Sequence, residues 1–270
     1  MGLIHYRKGP NKVFFVGVTQ PISDALKLLT KEVVKLREVK LVFFWLGPII
    51  SIFLMFLAWL LYDFSFVSFP LVLKVLFIIS VIGLSSYGFI LTSWGSNSKY
   101  SLIGGYRAVA QIISYEVCLM IFVIFIVYLS GTYSVSVFKV CQEGLWICFF
   151  SLVFFFCWFF VCLAESNRTP FDLAEGESEI VSGFNIEYRG RLFALIFIRE
   201  YGIIIVIGFF TSFMFVGGRN LLLKTFFFSV LFVWIRRSFP RLRYDFIMFV
   251  CWKILLPYSI SILMVSLAFY

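Results

Sequence analysis

Residues 164–188 read AESNRTPFDLAEGESEIVSGFNIEY, and this is the one long polar stretch between strongly apolar runs of the chain. It holds six of the 14 acidic residues: Glu165, Asp172, Glu175, Glu177, Glu179 and Glu187. Carboxylates this dense repel one another, so we expect some of them to hold protons near neutral pH. In a membrane protein, acids gathered in one place indicate proton transfer or cation binding.

The same stretch carries the signals of a short helix. Thr169 suits the cap position, Pro170 suits the first helical position, and Asp172 stands three residues after the cap, as in a capping box. Gly183 is suited to end the helix in a left-handed conformation. The sequence therefore predicts a helix that begins at Pro170 and ends near Gly183.

On such a helix three acids fall near one face, at spacings of three and four: Asp172, Glu175 and Glu179. Arg168 is placed to pair with Asp172. The alternative interpretation is a solvated loop with scattered charge, which is what most charge runs are. The regular spacing of the acids and their isolation in an apolar chain favour the functional interpretation.

Outside this stretch the composition is that of a membrane protein. The 270 residues are 62% hydrophobic and include 37 Phe, and the mean hydropathy is +1.01. Apolar runs of about 20 residues are long enough to cross a bilayer as helices. They occur at 41–62, 71–94, 108–130, 144–164, 192–217, 220–236 and 246–268. The sequence thus predicts an all-α polytopic protein with about seven transmembrane helices.

Residues 1–40 form a separate N-terminal part that does not span the membrane. Gly9-Pro10-Asn11 is strong turn chemistry within a basic segment. An amphipathic helix follows over 20–32, with Ile22, Leu26 and Leu29 on one face. Such a helix lies in the membrane interface, or else packs as a surface helix on neighbouring protein. We therefore divide the chain into 1–40 and a transmembrane part, 41–270, with the acidic loop at 164–191.

The basic residues give the orientation. The formal net charge is +9, and most Lys and Arg flank the spans on the side that carries the N-terminus and the acidic loop. The opposite side has only Lys74, Lys139, Arg219 and Lys224. By the positive-inside rule, the N-terminus and the acidic loop share the inner face. Nucleic-acid binding is excluded, because no basic face of a soluble domain is available.

Three acids lie within or at the end of predicted spans: Glu116, Glu165 and Glu200. A charged side chain in the bilayer interior costs roughly 2.5 kcal/mol or more unless it is paired, protonated or hydrated. One interpretation is a set of hydrogen-bonded structural acids. The other is a relay that leads from the acidic loop into the membrane.

Cofactor sites are not indicated by the sequence. The six Cys form no C-x-x-C pair, and His5 is the only histidine. We therefore expect no zinc or iron–sulfur site. No G-x-G-x-x-G opens a helix after a strand, so we expect no flavin or nicotinamide site either.

Five blocks of the chain together resemble one family. They are RKGPN at 7–11, QPISDALKLLTKE at 20–32, WGSNSKYSLIGGYRAVAQIISYEV at 94–117, AESNRTPFDLAEGESEIVSGFNIEYRG at 164–190 and WIRRSFPRLRYDFIMFVCWKILLP at 234–257. In this order and over nearly the whole chain, they resemble subunit 1 of proton-pumping NADH:ubiquinone oxidoreductase, respiratory complex I, of the mitochondrial type.

The resemblance implies a multi-pass subunit of the mitochondrial inner membrane, with the N-terminus and acidic loop on the matrix side. It implies a role in the quinone tunnel and the proton path, with a quinone as substrate and no catalytic residue, metal or redox centre in this chain. The implied partners are membrane lipid and other complex I subunits, namely the peripheral-arm quinone-site subunits and small membrane subunits.

The resemblance also implies roles for individual residues. Those that match the family's proton path are Glu116, Glu165, Asp172, Glu175, Glu177, Glu179, Glu187 and Glu200. Those expected to face the quinone cavity are Arg7, Asp24, Arg168, Arg236, Arg241, Arg243 and Asp245.

Three features depart from the family pattern. The family begins with one more span before the RKGPN block, whereas Met1 stands only a few residues before it here. Residues 189–191 read Arg-Gly-Arg and residue 199 is Arg, where the family has small or uncharged residues. Phe246 replaces a usual Gln. These changes make the surroundings of the acidic loop more basic.

Two other functions remain compatible with the sequence. The membrane subunit of a hydrogenase-type complex shares the acid path but uses no quinone. A stand-alone ion channel or carrier is a different class, which the large basic surface disfavours because that surface suits a docking partner. A carrier would be active alone, whereas a complex I subunit would co-purify with a large redox assembly.

Overall fold

The computed structural model describes residues 8–9, 17, 19–32, 39–61, 73–133, 138, 141–144, 146–149, 151–173, 183–217 and 220–268. All regular structure in these residues is helical. The helices are α1 Gln20–Thr30, α2 Leu41–Ala58, α3 Lys74–Ser96, α4 Lys99–Ser130, α5 Leu152–Glu165, α6 Arg191–Val216, α7 Leu221–Ser238 and α8 Tyr244–Ala268. Helix α6 ends in a π-helical turn, Ser212–Val216, and α8 contains another, Cys251–Leu255. Short 3-10 turns lie at Trp59–Leu61, Ile147–Phe149 and Gly183–Asn185.

Five of the described helices are long and apolar enough to cross a membrane: α2, α3, α4, α6 and α8. Helix α5 has 14 residues and begins later than the span predicted over 144–164. Helix α7 has 18 residues, but its sequence includes three basic residues, at positions 224, 236 and 237. The prediction of an all-α polytopic membrane protein is confirmed, whereas the number of seven spans is not.

Helix α1 lies on the surface, as its amphipathic pattern predicts. Its apolar side chains stay uncovered by the described chain; Ile22 is 63% exposed and Leu26 57%. Its C-terminal end is attached to the start of α6, because Arg191 Nε donates to Leu29 O at 3.0 Å. Gly190 permits this approach, since it has a φ of +62° and a Cβ there would lie 3.1 Å from Lys31 O.

The main core joins α4, α5 and the end of α6 through aromatic rings. Trp158 is fully buried and its ring centroid lies 5.3 Å from that of Phe215. Phe122 and Phe154 meet edge to face at 5.0 Å. Such pairs stabilise a core beyond the burial of their area. The many Phe of the sequence therefore pack helices against one another as well as facing lipid.

The segment after α5 differs from the helix predicted to begin at Pro170. Residues 169–173 form turns and irregular structure, and the Thr169–Pro170 peptide is cis. Their carbonyl groups accept hydrogen bonds from distant partners: Pro170 O from Leu242 N at 3.0 Å, and Phe171 O from Gln111 at 3.0 Å. These long-range hydrogen bonds hold residues 169–173 in a non-helical conformation, despite the capping pattern that predicts a helix there. The rest of the predicted helix, 174–182, lies outside the described residues, and Gly183 has the expected left-handed φ of +57°.

Candidate functional site

Five charged side chains follow one another through the helical body, and we refer to them as the charged row: Glu116, Glu165, Arg199, Arg168 and Glu200. The last four are each 3–4% exposed. Burying charges is costly unless they are paired or hydrogen-bonded. The members of the row therefore depend on the opposite charges of their neighbours in it.

Glu165 is the last residue of α5 and the second member of the row. It is near enough to Glu116 and Arg199 for their charges to act on it. Glu165 is one of the residues that line a cavity of about 20 Å³ between α2, α3 and α6, a space with room for about one water molecule. Ser85 lines the same cavity, and among the described residues neither Ser85 Oγ nor Glu165 Oε2 has a hydrogen-bond partner. Two residues with unsatisfied buried polar atoms therefore belong to the lining of one small cavity whose walls are otherwise mostly apolar.

Gln111 of α4 fixes the end of α5. Its Nε2 donates to Ala164 O at 2.9 Å and to Phe171 O at 3.0 Å. One buried amide thereby holds the residue before Glu165 and the residue before Asp172. The position of both carboxyl groups follows from this double hydrogen bond.

Glu116 starts the row on α4, and its carboxyl group lies against the backbone of Gly83 in α3. A Cβ built at Gly83 would overlap Glu116 Oε1. Only glycine leaves room for the carboxyl group there. Glu116 is half-buried, so it is the most accessible member of the row.

Arg199 and Arg168 continue the row on the other side of Glu165. The Arg199 guanidinium carbon lies 4.1 Å from the centroid of the Phe89 ring, and the charge of Arg168 acts on Arg199. Arg168 forms an ion pair with Glu200. Its guanidinium also lies 5.4 Å from the centroid of Tyr201. Aromatic faces thus attract both guanidinium groups where two like charges approach each other.

The beginning of the acidic loop is bonded to the C-terminal end of α7 and to the basic segment that follows it. Thr169 Oγ1 donates to Arg236 O at 3.0 Å. Asp172 forms an ion pair with Arg241 at 3.5 Å. Arg236 lies 6.0 Å from the Tyr201 ring. Arg168, which the sequence placed beside Asp172, forms an ion pair with Glu200.

The remaining predicted site residues lie elsewhere or outside the description. Asp24 is exposed on α1 and accepts from Gln20 at 2.9 Å. Arg243 and Asp245 are exposed and form an ion pair at 3.1 Å. Glu187 is half-buried in the turn after Gly183–Asn185. Four residues fall outside the described part of the chain: Arg7, Glu175, Glu177 and Glu179.

The segment that carries Glu187 is itself anchored on the helices. Tyr188 Oη donates to Thr92 O at 3.0 Å, and its ring stacks on Phe44 with centroids 4.3 Å apart. Burial raises the pKa of the Tyr188 phenol. It therefore remains a neutral donor, and the end of the acidic loop stays attached to α2 and α3.

No metal site emerges from the described residues, where His, Cys, Asp and Glu form no group of three able to hold an ion. The charged row has two other chemical properties, which are shared protonation and fixed positive charge. Carboxyl groups that are buried near one another share protons as a set. Buried guanidinium groups beside them act as fixed counter-charges.

Sequence reasoning missed several parts of this site. It treated Arg199 only as a departure from the family pattern, whereas Arg199 lies within the charged row. It gave no role to Gly83, although its lack of a side chain makes room for Glu116. Neither could be found from local patterns, because each depends on a neighbour on another helix.

Comparison with known proteins places the chain among respiratory proteins. A family model described as NADH dehydrogenase matches residues 1–267. The chain is 43% identical to NADH-ubiquinone oxidoreductase chain 1 of Aedes aegypti over 267 residues, which is 97% of this chain and 85% of that protein. It is 43% identical to the protein of the same name from Heterololigo bleekeri over 272 residues, 98% of this chain and 87% of that one. For Balaenoptera physalus the identity is 40% over 275 residues, covering 98% and 86%.

Proposed function

The chain belongs to the NADH dehydrogenase family as a homologue of NADH-ubiquinone oxidoreductase chain 1, and from this premise we propose that it forms part of the quinone tunnel and couples quinone reduction to proton translocation. It is a membrane subunit of complex I and a multi-pass protein of the mitochondrial inner membrane. Its substrate is a quinone. The tunnel, the coupling and the matrix-side orientation of the acidic loop are the proposal.

The observation that carries the proposal is the charged row. It begins at Glu116 on α4 and ends at Glu200 on α6, beside Arg168 and Tyr201. A continuous set of buried charges transmits a change at one end to the other, because each group feels its neighbour in a medium that screens weakly. This is what coupling between a redox pocket and a proton path requires.

An apolar groove supports a quinone site at the Tyr201 end. It lies between α6 and α7, measures about 430 Å³, and is lined by Tyr201, Ile204, Val230 and Trp234 among others. Its size is in the range of small-molecule sites. The apolar walls suit an isoprenoid tail, while Tyr201 and the neighbouring Arg236 suit the polar ring of a quinone.

The mechanism follows from the charge that a quinone takes up. Reduction to quinol consumes two electrons and two protons, so the cavity changes its charge during turnover. We propose that the acids of the loop respond to this change: Asp172, Glu175, Glu177 and Glu179. Glu187 and Glu165 then pass the effect to Glu116. Arg168 and the basic residues between Arg236 and Arg243 hold the counter-charge.

Replacing the row's carboxyl groups tests the proposal. In the assembled complex, Glu165→Gln and Glu116→Gln should abolish quinone-linked proton pumping, because a neutral amide does not change its protonation when the cavity does. Pumping is measured as acidification per NADH oxidised in sealed vesicles. Glu143→Gln is the matched control, since Glu143 is exposed and lies outside the row. Full pumping in both row variants would remove the two residues from the path.

A further inference from the structure

Helix α8 has one covered face and one bare face. The covered face is set by residues four apart: Ile247, Cys251, Leu255 and Ser259 are all buried. It packs on α4, where Tyr115 Oη donates to Ile247 O at 2.9 Å and Cys251 Sγ donates to Ser114 O at 3.2 Å. The bare face carries large apolar side chains that are about half exposed: Phe249, Trp252 and Ile254.

Lys253 stands in the middle of this bare face. It follows Tyr244, the first residue of α8, by nine positions, which is about 14 Å along a helix axis. The hydrocarbon core of a bilayer is about 30 Å thick, so a helix that enters the core near Tyr244 carries the Lys253 backbone deep into it. The Lys253 side chain is exposed, and its ammonium group lies 4.7 Å from the centroid of the Phe249 ring.

The described chain offers Lys253 no carboxylate. Among the described residues, no ion pair within 4 Å involves Lys253, and Asp245 on the same helix pairs with Arg243. The one acid of α4, Glu116, has its carboxyl group against Gly83 on α3. A charge at this depth is costly unless it is paired, and such residues mark contacts with a partner group.

We propose that the bare face of α8 docks a transmembrane helix of another complex I subunit, and that this helix carries an Asp or Glu opposite Lys253. Membership of a multi-subunit complex supports a protein occupant. A phospholipid phosphate lies at the headgroup level and does not reach a lysine at this depth. A second copy of this chain would bring another Lys253 to the same place, and like charges repel. The inference is independent of the proposed quinone site.

Zero-length cross-linking in the intact complex tests the pairing. A membrane-permeable carbodiimide activates the partner's carboxyl group, the Lys253 amine attacks it, and an amide forms with release of the urea. We expect mass spectrometry to find Lys253 joined to an Asp or Glu of another subunit. Lys253→Arg is the control, because it keeps the charge but should abolish the cross-link.

Two results would overturn the proposal. One is a cross-link from Lys253 to an acid of this chain alone, such as Asp245. The other is an uncross-linked Lys253 in a complex whose native mass spectrum retains an anionic phospholipid that the Lys253→Met variant loses.

Assembly gives a second and separate measurement. Lys253→Met removes a charge from the membrane, so insertion and folding of this chain should not suffer. The partner's acid would be left buried without its counter-ion, and we expect the fraction of the chain found in the assembled complex to fall about tenfold. Lys253→Arg and Ile254→Met should assemble normally. Normal assembly of Lys253→Met would contradict the proposal, whatever the result of the pumping assay on Glu165 and Glu116.

Discussion

At the scale of single residues, the absence of a side chain at Gly83 makes room for the Glu116 carboxyl group. The two residues lie on different helices, and the carboxyl oxygen occupies the place of the missing Cβ. Proton transfer depends on the relative positions of donor and acceptor to within a fraction of an ångström. Gly83, which has no reactive side chain, therefore determines where the Glu116 carboxyl group can lie.

Replacing Gly83 should lower proton pumping without impairing assembly of the complex. In Gly83→Ala the flexible end of Glu116 can rotate away, so we expect normal assembly of the complex. The displaced carboxyl group should slow proton pumping by about tenfold, in line with the cost of small misplacements at reacting groups. Pumping per NADH oxidised in sealed vesicles measures this. Gly144→Ala is the control, since a Cβ at Gly144 meets nothing within 4 Å. Unchanged pumping in Gly83→Ala would show that the Glu116 position does not matter.

At the scale of elements, Gln111 holds α4, the end of α5 and the start of the acidic loop together. Gln142 is its counterpart near the end of α6, where Nε2 donates to Met214 O at 2.7 Å. Both side chains are 1% exposed. Each amide donates to a buried carbonyl group near the C-terminal end of a helix.

Removing these amides should loosen different segments. We expect Gln111→Met to cost about 1–3 kcal/mol, because it removes two hydrogen bonds to buried carbonyl groups. Hydrogen exchange in the assembled complex should then rise in residues 166–173. Gln142→Met should instead raise exchange in residues 212–217. Equal exchange of 166–173 in both variants would mean that Gln111 does not position the acidic loop.

The same elements show which features a sequence can predict. The amphipathic pattern of α1 and the long apolar runs of α2, α3, α4, α6 and α8 are local, so their helices follow from the residues alone. The helix start expected at Pro170 was wrong, because Pro170 and Phe171 give their carbonyls to Leu242 and Gln111. Such bonds join residues that are 60 or more positions apart, and no local signal announces them.

The candidate site also has some features that the sequence predicts and others that it does not. The acids Glu116, Glu165 and Glu200 could be found from the sequence, because a charge inside an apolar run is conspicuous. Their order in space could not be found, since it depends on Arg199 and Arg168 lying between them. The ion pair between Arg168 and Glu200 joins residues 32 positions apart, so helical spacing in the sequence could not predict it either.

At the scale of the whole molecule, the distribution of Lys and Arg predicts the orientation in the membrane. Cys141 is exposed between α4 and α5, and the charge distribution predicts that it faces the side opposite the acidic loop. A membrane-impermeant maleimide should label it from the intermembrane space, in mitochondria stripped of their outer membrane. A Lys31→Cys variant, with Cys141→Ser, should be labelled only in inside-out vesicles. Labelling of Cys141 from the matrix side would reverse the orientation.

The bonds between residues 169–172 and 236–242 have a genetic consequence. Three links from separate residues join the two segments: Thr169 to the Arg236 carbonyl, the Pro170 carbonyl to Leu242, and Asp172 to Arg241. Because the two segments are joined by three bonds, a backbone shift in one of them also moves the other. Second-site suppressors of damaging substitutions in one segment should therefore be found in the other. Substitutions in the two segments should also be correlated, although some 70 positions of chain separate them.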